Sequence, residues 1–171
     1  METKRCAVVK EETKKISLFL AKFAVIFFLL HTAIWIADLS SLENYLAGIE
    51  AKASSLNSEQ NKIFVQGEQA LSINASCTGL ISISILAGIV FAFRKPELKK
   101  KLLIFVPSAL LLFFLNMGRL FLVVQTAKAY GLQAGEIVHE ISWIATAVFI
   151  ILLWYYFTLK ATKSKKFNEL L

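Results

Sequence analysis

Four apolar runs divide this chain, and their lengths leave it few folds. Ile16 to about Leu39, Leu102 to about Val124 and Ile137 to Leu159 are each long enough to cross roughly 30 Å of hydrocarbon. Cys77 to Phe93 forms a shorter fourth run. Backbone in lipid must satisfy its own hydrogen bonds, so runs of this length predict helices. The composition agrees, with 57% hydrophobic residues, 14 of them phenylalanine, and a mean hydropathy of +0.62. These values belong to a bilayer protein and not to a soluble core. The first run is too long for the apolar region of a cleavable signal peptide and has no A-x-A site. At 171 residues the length allows one domain.

The charges set the orientation. A net charge of +7 would suggest nucleic acid for a soluble chain, but here the basic residues flank the apolar runs. That pattern points to topology and to anionic lipid as a partner, with no nucleic acid. Five basic residues lie in 1–15, five in 94–101 and four in 160–171, against Lys52 and Lys62 in 40–76 and Lys128 in 125–136. By the positive-inside rule both termini are cytoplasmic and both weakly basic loops face outward. The expected fold is an all-α integral membrane protein of four transmembrane helices, spanning about 16–39, 77–93, 102–124 and 137–159. Residues 1–15 form a cytoplasmic N-terminal segment, 16–159 the membrane domain and 160–171 a basic cytoplasmic tail.

The outer loop 40–76 carries two further signals. Leu42, Tyr45, Leu46 and Ile49 recur at i, i+3, i+4 and i+7, which predicts an amphipathic helix over 40–52, continuing the first span or lying on the membrane. Residues 54–62 read as a turn-rich linker. Ile63 to Gln66 and Gln69 to Ile73, joined through Gly67-Glu68, predict a short β-hairpin, which must lean on the helices to persist.

With this topology, three reactive groups fall at one depth. Cys77 opens the second span from outside, and His139 opens the fourth. Arg119 lies roughly 26 Å along the third span from Leu102 at 1.5 Å per residue, in the outer leaflet. A cysteine in a membrane helix is commonly a small apolar filler. Cys77 differs in following Asn74 and Ser76, which can cap, so it is expected in the first helical turn, where a thiolate is favoured. Gly79 would allow another backbone to approach closely. A guanidinium inside a span normally faces the bundle interior or a wet cavity; its structural explanation is an ion pair, and the outer half offers Asp38, Glu136 and Glu140. Asn116, one turn before Arg119, could orient it. His31 lies deeper in the first span, either as a competing base or as a neutral group bonded to a neighbouring helix.

A cysteine nucleophile needs a base, and a tetrahedral intermediate needs a donor for its oxyanion. Cysteine, histidine and arginine can supply those three roles. Two cysteines, Cys6 and Cys77, are too few for a disulfide framework. One thiol and two imidazoles without C-x-x-C or H-x-x-x-H spacing make a poor metal site, so neither metal nor cofactor is expected.

Cys77-Thr78-Gly79 at an outer helix start, Asn116-Met117-Gly118-Arg119 in the next span and His139 opening the following one resemble the exosortase/archaeosortase family. The resemblance covers about Gly67 to Tyr156. It implies a plasma-membrane cysteine transpeptidase or peptidase whose active site faces outward. Its substrates would be exported proteins ending in a short motif, a transmembrane helix and a basic tail. By analogy Cys77 would form a thioester acyl-enzyme, His139 would act as base and acid, and Arg119 would position substrate or stabilise the oxyanion. Water, an amine or a lipid-linked acceptor would release the product. The alternative is a non-enzymatic four-helix assembly or accessory protein, with Arg119 in an ion pair and Cys77 as packing. A small transporter would need more midplane polar groups than His31 supplies.

Overall fold

A computed structural model describes residues 2–66 and 69–162. It contains α1 (Glu2–Ile36), α2 (Ser40–Ala53), β1 (Asn57–Glu59), β2 (Lys62–Gln66), β3 (Gln69–Ser72), a 3-10 turn (Ala75–Thr78), α3 (Leu80–Ala92), α4 (Leu98–Tyr130) and α5 (Leu132–Thr162). The expected turn at Gly67-Glu68 and Lys163, Lys165 and Lys166 of the tail lie outside the described residues.

Among the described residues, three helices have the length and apolar composition to cross a membrane, over Glu11–Ile36, Leu98–Tyr130 and Leu132–Lys160. All three run longer than their apolar stretches, because the flanking polar residues continue the same helices. The second half of the basic segment at 94–101, from Leu98, is likewise the first turn of α4. The second expected span is the 13-residue α3, which reaches only about 20 Å. The chain is a multi-pass membrane protein, with α3 packed among α1, α4 and α5. Leu86, Val90, Ile104, Leu112 and Ile150 form the core on this side.

The second core lies at the other end and involves the loop. Helix α2 is separate from α1: the chain breaks at Ala37–Leu39, and Ser40 N donates to Asp38 Oδ1 at 3.0 Å. Its buried face is Leu46, Ala47, Glu50 and Ala51, while Tyr45 is 67% exposed. The predicted stripe therefore rotates away from Tyr45 and Ile49. The two alanines have no bulk beyond Cβ and allow α2 to approach α4 closely. Leu46, Ala47 and Ala51 pack with Ile63, Ile73, Cys77, Leu120 and Val124. At the C-terminal end of α2, Lys128 Nζ donates to Ser54 O at 2.6 Å and Gln125 Nε2 to Ser54 Oγ at 3.3 Å, fastening the loop to α4.

The hairpin is one part of a three-stranded antiparallel sheet in the order β1-β2-β3. The extra strand, β1, lies in the stretch that reads as a linker; Asn57 and Ser58 pair with Phe64 and Ile63. Turn residues hide a strand that depends on cross-strand pairing rather than on its own propensity. Asn61 Nδ2 donates to Ile73 O at 2.8 Å and Ile73 N to Asn61 O at 2.7 Å, which fixes the path from β3 towards Cys77.

Glu50 is the unusual member of the α2 interface. It is 2% exposed, its Oε2 has no hydrogen-bond partner, and burial pushes its carboxyl from the ordinary 4.5 up to about 7. The folded chain therefore keeps a proton that an undocked α2 would release. Docking is fully stable below about pH 4.5 and weakens as pH rises to about 7, by at most about 3 kcal/mol. Glu50→Gln should abolish that dependence. Hydrogen exchange of the α2 amides between pH 5 and 8 measures it, after correction for intrinsic exchange.

Candidate active site

Cys77 lies in the 3-10 turn that precedes α3, and so not in the first turn of a spanning helix. Asn74 opens the turn: its Oδ1 accepts from Ser76 N at 3.1 Å, and Cys77 N donates to Asn74 O at 2.8 Å. Gly79 then turns the chain into α3 with φ of +81°, a left-handed value that costs other residues about 1–2 kcal/mol. A Cβ at Gly79 would lie 3.0–3.1 Å from side-chain atoms of Asn116. The close neighbour is thus the Asn116 side chain and no other backbone. Asn116 Nδ2 donates to Cys77 O at 2.7 Å. The amide holds the cysteine backbone and does not orient Arg119, as the spacing suggests. Gly79 is the residue that lets it reach.

The thiol is 6% exposed and packs against the second core, as a filler cysteine would. It also lines a cavity of about 390 Å³ together with β3, Glu136, His139 and Glu140. Ser76 Oγ is 4.0 Å from Cys77 Sγ. His139 faces the same cavity from α5, one helical turn before Trp143. Trp143 Nε1 donates to His139 Nε2 at 3.4 Å, which leaves the ring proton on Nδ1.

Arg119 is 7% exposed, and Nε, Nη1 and Nη2 all lack hydrogen-bond partners among the described residues. None of Asp38, Glu136 and Glu140 pairs with it. Its Cζ is 4.7 Å from the centroid of the Trp143 ring, a distance at which a cation is attracted to the aromatic face. It is within electrostatic reach of both Cys77 and His139. Arg119 does not line the cysteine cavity. It lines a neighbouring groove of about 340 Å³ between α4 and α5, whose walls include Leu115, Gly118, Ser142 and Phe149. Trp143 links the two residues, its ring meeting Arg119 and its Nε1 meeting His139.

His31 is not part of this arrangement. Its Nε2 accepts from Trp35 Nε1 at 3.0 Å within α1, and its ring stacks on Phe27. The bond is to its own helix and not to a neighbouring one. Sequence reasoning missed the part played by Trp143. The signal for Trp143 was its i+4 spacing from His139, the same spacing that joins His31 to Trp35.

Residues 15–155 match the model of the transmembrane exosortase family. The chain belongs to that family. No curated protein and no solved structure matches it. The matched stretch includes all of Cys77, Asn116, Arg119, His139 and Trp143. In this exosortase-family site, Trp143 has two separable contacts. Trp143→Phe keeps a ring for Arg119 and removes the N–H to His139; turnover of an exported substrate should fall about tenfold. Trp143→Leu removes both contacts and should fall about a hundredfold. Equal losses in the two variants would show that only one contact matters.

Proposed function

We propose that this chain is a membrane-embedded cysteine transpeptidase or peptidase that cleaves the C-terminal sorting signals of exported proteins. The reading is carried by one observation: a buried thiol and an imidazole line one cavity, and beside them is an arginine with no hydrogen-bond partner among the described residues. The Cys77 thiol passes its proton to His139 Nε2, displacing the long Trp143 N–H contact, and the thiolate attacks the scissile carbonyl carbon. Arg119, free of acids and in the adjoining groove against Trp143, supplies the positive potential that favours the oxyanion, an interaction worth more here than in water. Asn116 and Gly79 hold the cysteine backbone while this happens. As the tetrahedral intermediate collapses, the C–N bond breaks and the leaving amine takes the proton from His139. A thioester remains. Water or an amine, including a lipid-linked amine, then adds to the thioester carbonyl, gives its proton to His139 and expels the Cys77 thiolate.

The accompanying topology has both termini in the cytoplasm, α3 as the short fourth crossing, and α2 with the sheet on the external face of the plasma membrane. A sorting signal whose transmembrane helix crosses beside the bundle presents its motif at this depth. Basic residues flanking the helices meet anionic lipid. The accessory-protein alternative loses its principal support, because the expected ion pair of Arg119 is not formed. The test is capture of the intermediate: an exported substrate incubated with the protein in vesicles should yield a hydroxylamine-sensitive adduct at Cys77, located by mass spectrometry. Processing without any such adduct would exclude the thioester.

A further inference from the structure

The cysteine cavity has an unusual wall. Ala70, Leu71, Ser72 and Ile73 all line it, four consecutive residues running along β3 and just past its end. Successive side chains of a strand point to opposite faces, so a cavity on one face would meet every second residue. Consecutive residues mean that the cavity meets β3 edge-on. The sheet order shows which edge this is: β3 pairs with β2, and among the described residues no other backbone hydrogen bond reaches Gln69–Ser72. Alternate N–H and C=O groups of that edge therefore point away from β2. The opposite wall is the start of α5, which contributes Glu136, His139 and Glu140. The cavity of about 390 Å³ lies between this strand edge and the start of α5, which also pack against each other directly.

We propose that β3 is the substrate-docking strand: the extended segment of the exported polypeptide that carries the scissile bond adds to its free edge as a fourth strand. This deepens the reading of Cys77 as nucleophile and rests on it. An unpaired edge is normally protected, because it will pair with whatever strand approaches. Here it is left open a few residues before the thiol, inside the same cavity. Main-chain hydrogen bonds to an edge give affinity without regard to sequence, and side-chain pockets add specificity. Strand addition also fixes register, since a shift of one residue would turn every side chain to the opposite face. The scissile carbonyl is thereby delivered to Cys77 at one position only.

The experiment uses a short acetylated polyalanine chloromethyl ketone, which alkylates a thiolate, and a set of analogues each N-methylated at one residue. Chloroacetone reports the intrinsic reactivity of the thiol. The full-length protein in nanodiscs should be alkylated at Cys77 faster by the peptide than by chloroacetone. N-methylation should slow the reaction about threefold to tenfold at alternate residues and leave the intervening ones unaffected. A second measurement does not need the thiol: the Cys77→Ala protein should photo-crosslink a benzophenone-bearing polyalanine peptide within residues 69–73, and the N-methylated peptides should compete with the same alternation. Failure of chloroacetone to modify Cys77, with crosslinking intact, would sink the nucleophile and leave the docking strand standing. A reactive Cys77 with no peptide preference, or N-methyl effects without a period of two, would overturn the docking strand and leave the cavity to a lipid or amine acceptor.

Discussion

Cys77→Ala will abolish substrate processing, and Cys77→Ser will retain less than about a thousandth of it. The serine variant is the more informative. It alters one atom, and the bond that positions the cysteine is made through its backbone carbonyl, so Asn116 Nδ2 still has its acceptor. Gly79 keeps its left-handed turn, and the surrounding core of Ile73, Leu120 and Val124 loses almost no volume. What changes is the nucleophile. A hydroxyl is far less acidic than a thiol, and His139, whose Nε2 is already accepting from Trp143, would have to remove a much more tightly held proton. Membrane insertion and helix content should match the parent protein, which separates lost chemistry from lost fold. If Cys77 were only packing, the serine variant would process substrate at close to the parent rate. Immunoblotting of a tagged exported substrate, with circular dichroism of the purified variants, decides between these outcomes.

The parts of this molecule legible in the sequence are those whose signals are long or chemically exclusive. The runs behind α1, α4 and α5 could be little other than helices, since lipid leaves no alternative for the backbone. Cys77, Arg119 and His139 stood out because they fall at one depth, and their order and spacing resemble a family pattern. The details that join them were not legible, because they depend on rotation and pairing. Nothing in 57–59 announces a strand until Phe64 and Ile63 lie beside it. The stripe Leu42, Tyr45, Leu46, Ile49 fixes that α2 is a helix but misplaces its face, since Ala47 and Ala51 contribute by being small. Asn116 and Arg119 share a helix face at i and i+3, which invited pairing them; the positive φ of Gly79 sends the amide to Cys77 instead. Trp143 had its spacing in plain view, but nothing in sequence shows that one indole meets both a guanidinium and an imidazole.

Arg119→Ala should separate function from stability, because the two effects have opposite signs. A buried guanidinium whose three nitrogens have no partners is a burden on the fold: charged groups taken out of water destabilise unless paired, and the Trp143 ring returns only about 1–2 kcal/mol of that. Removing the charge should therefore leave the thermal stability of the purified protein unchanged or raise it. Processing should fall by about 10²- to 10³-fold, the loss typical of a single oxyanion donor. A structural arginine predicts the reverse pairing, with stability lost and any fall in activity following from it. Arg119→Lys refines the assignment. It keeps the charge but not the flat fork of donors that lies over an indole while hydrogen-bonding an oxygen, so activity should settle between alanine and the parent. Full activity in the lysine variant would mean that the site needs only a positive potential near Cys77 and His139. Melting curves in detergent and substrate processing, measured on the same preparations, give both signs at once. Sites that keep such unsatisfied groups commonly exchange stability for activity, and here the group left unsatisfied is a cation beside a thiol.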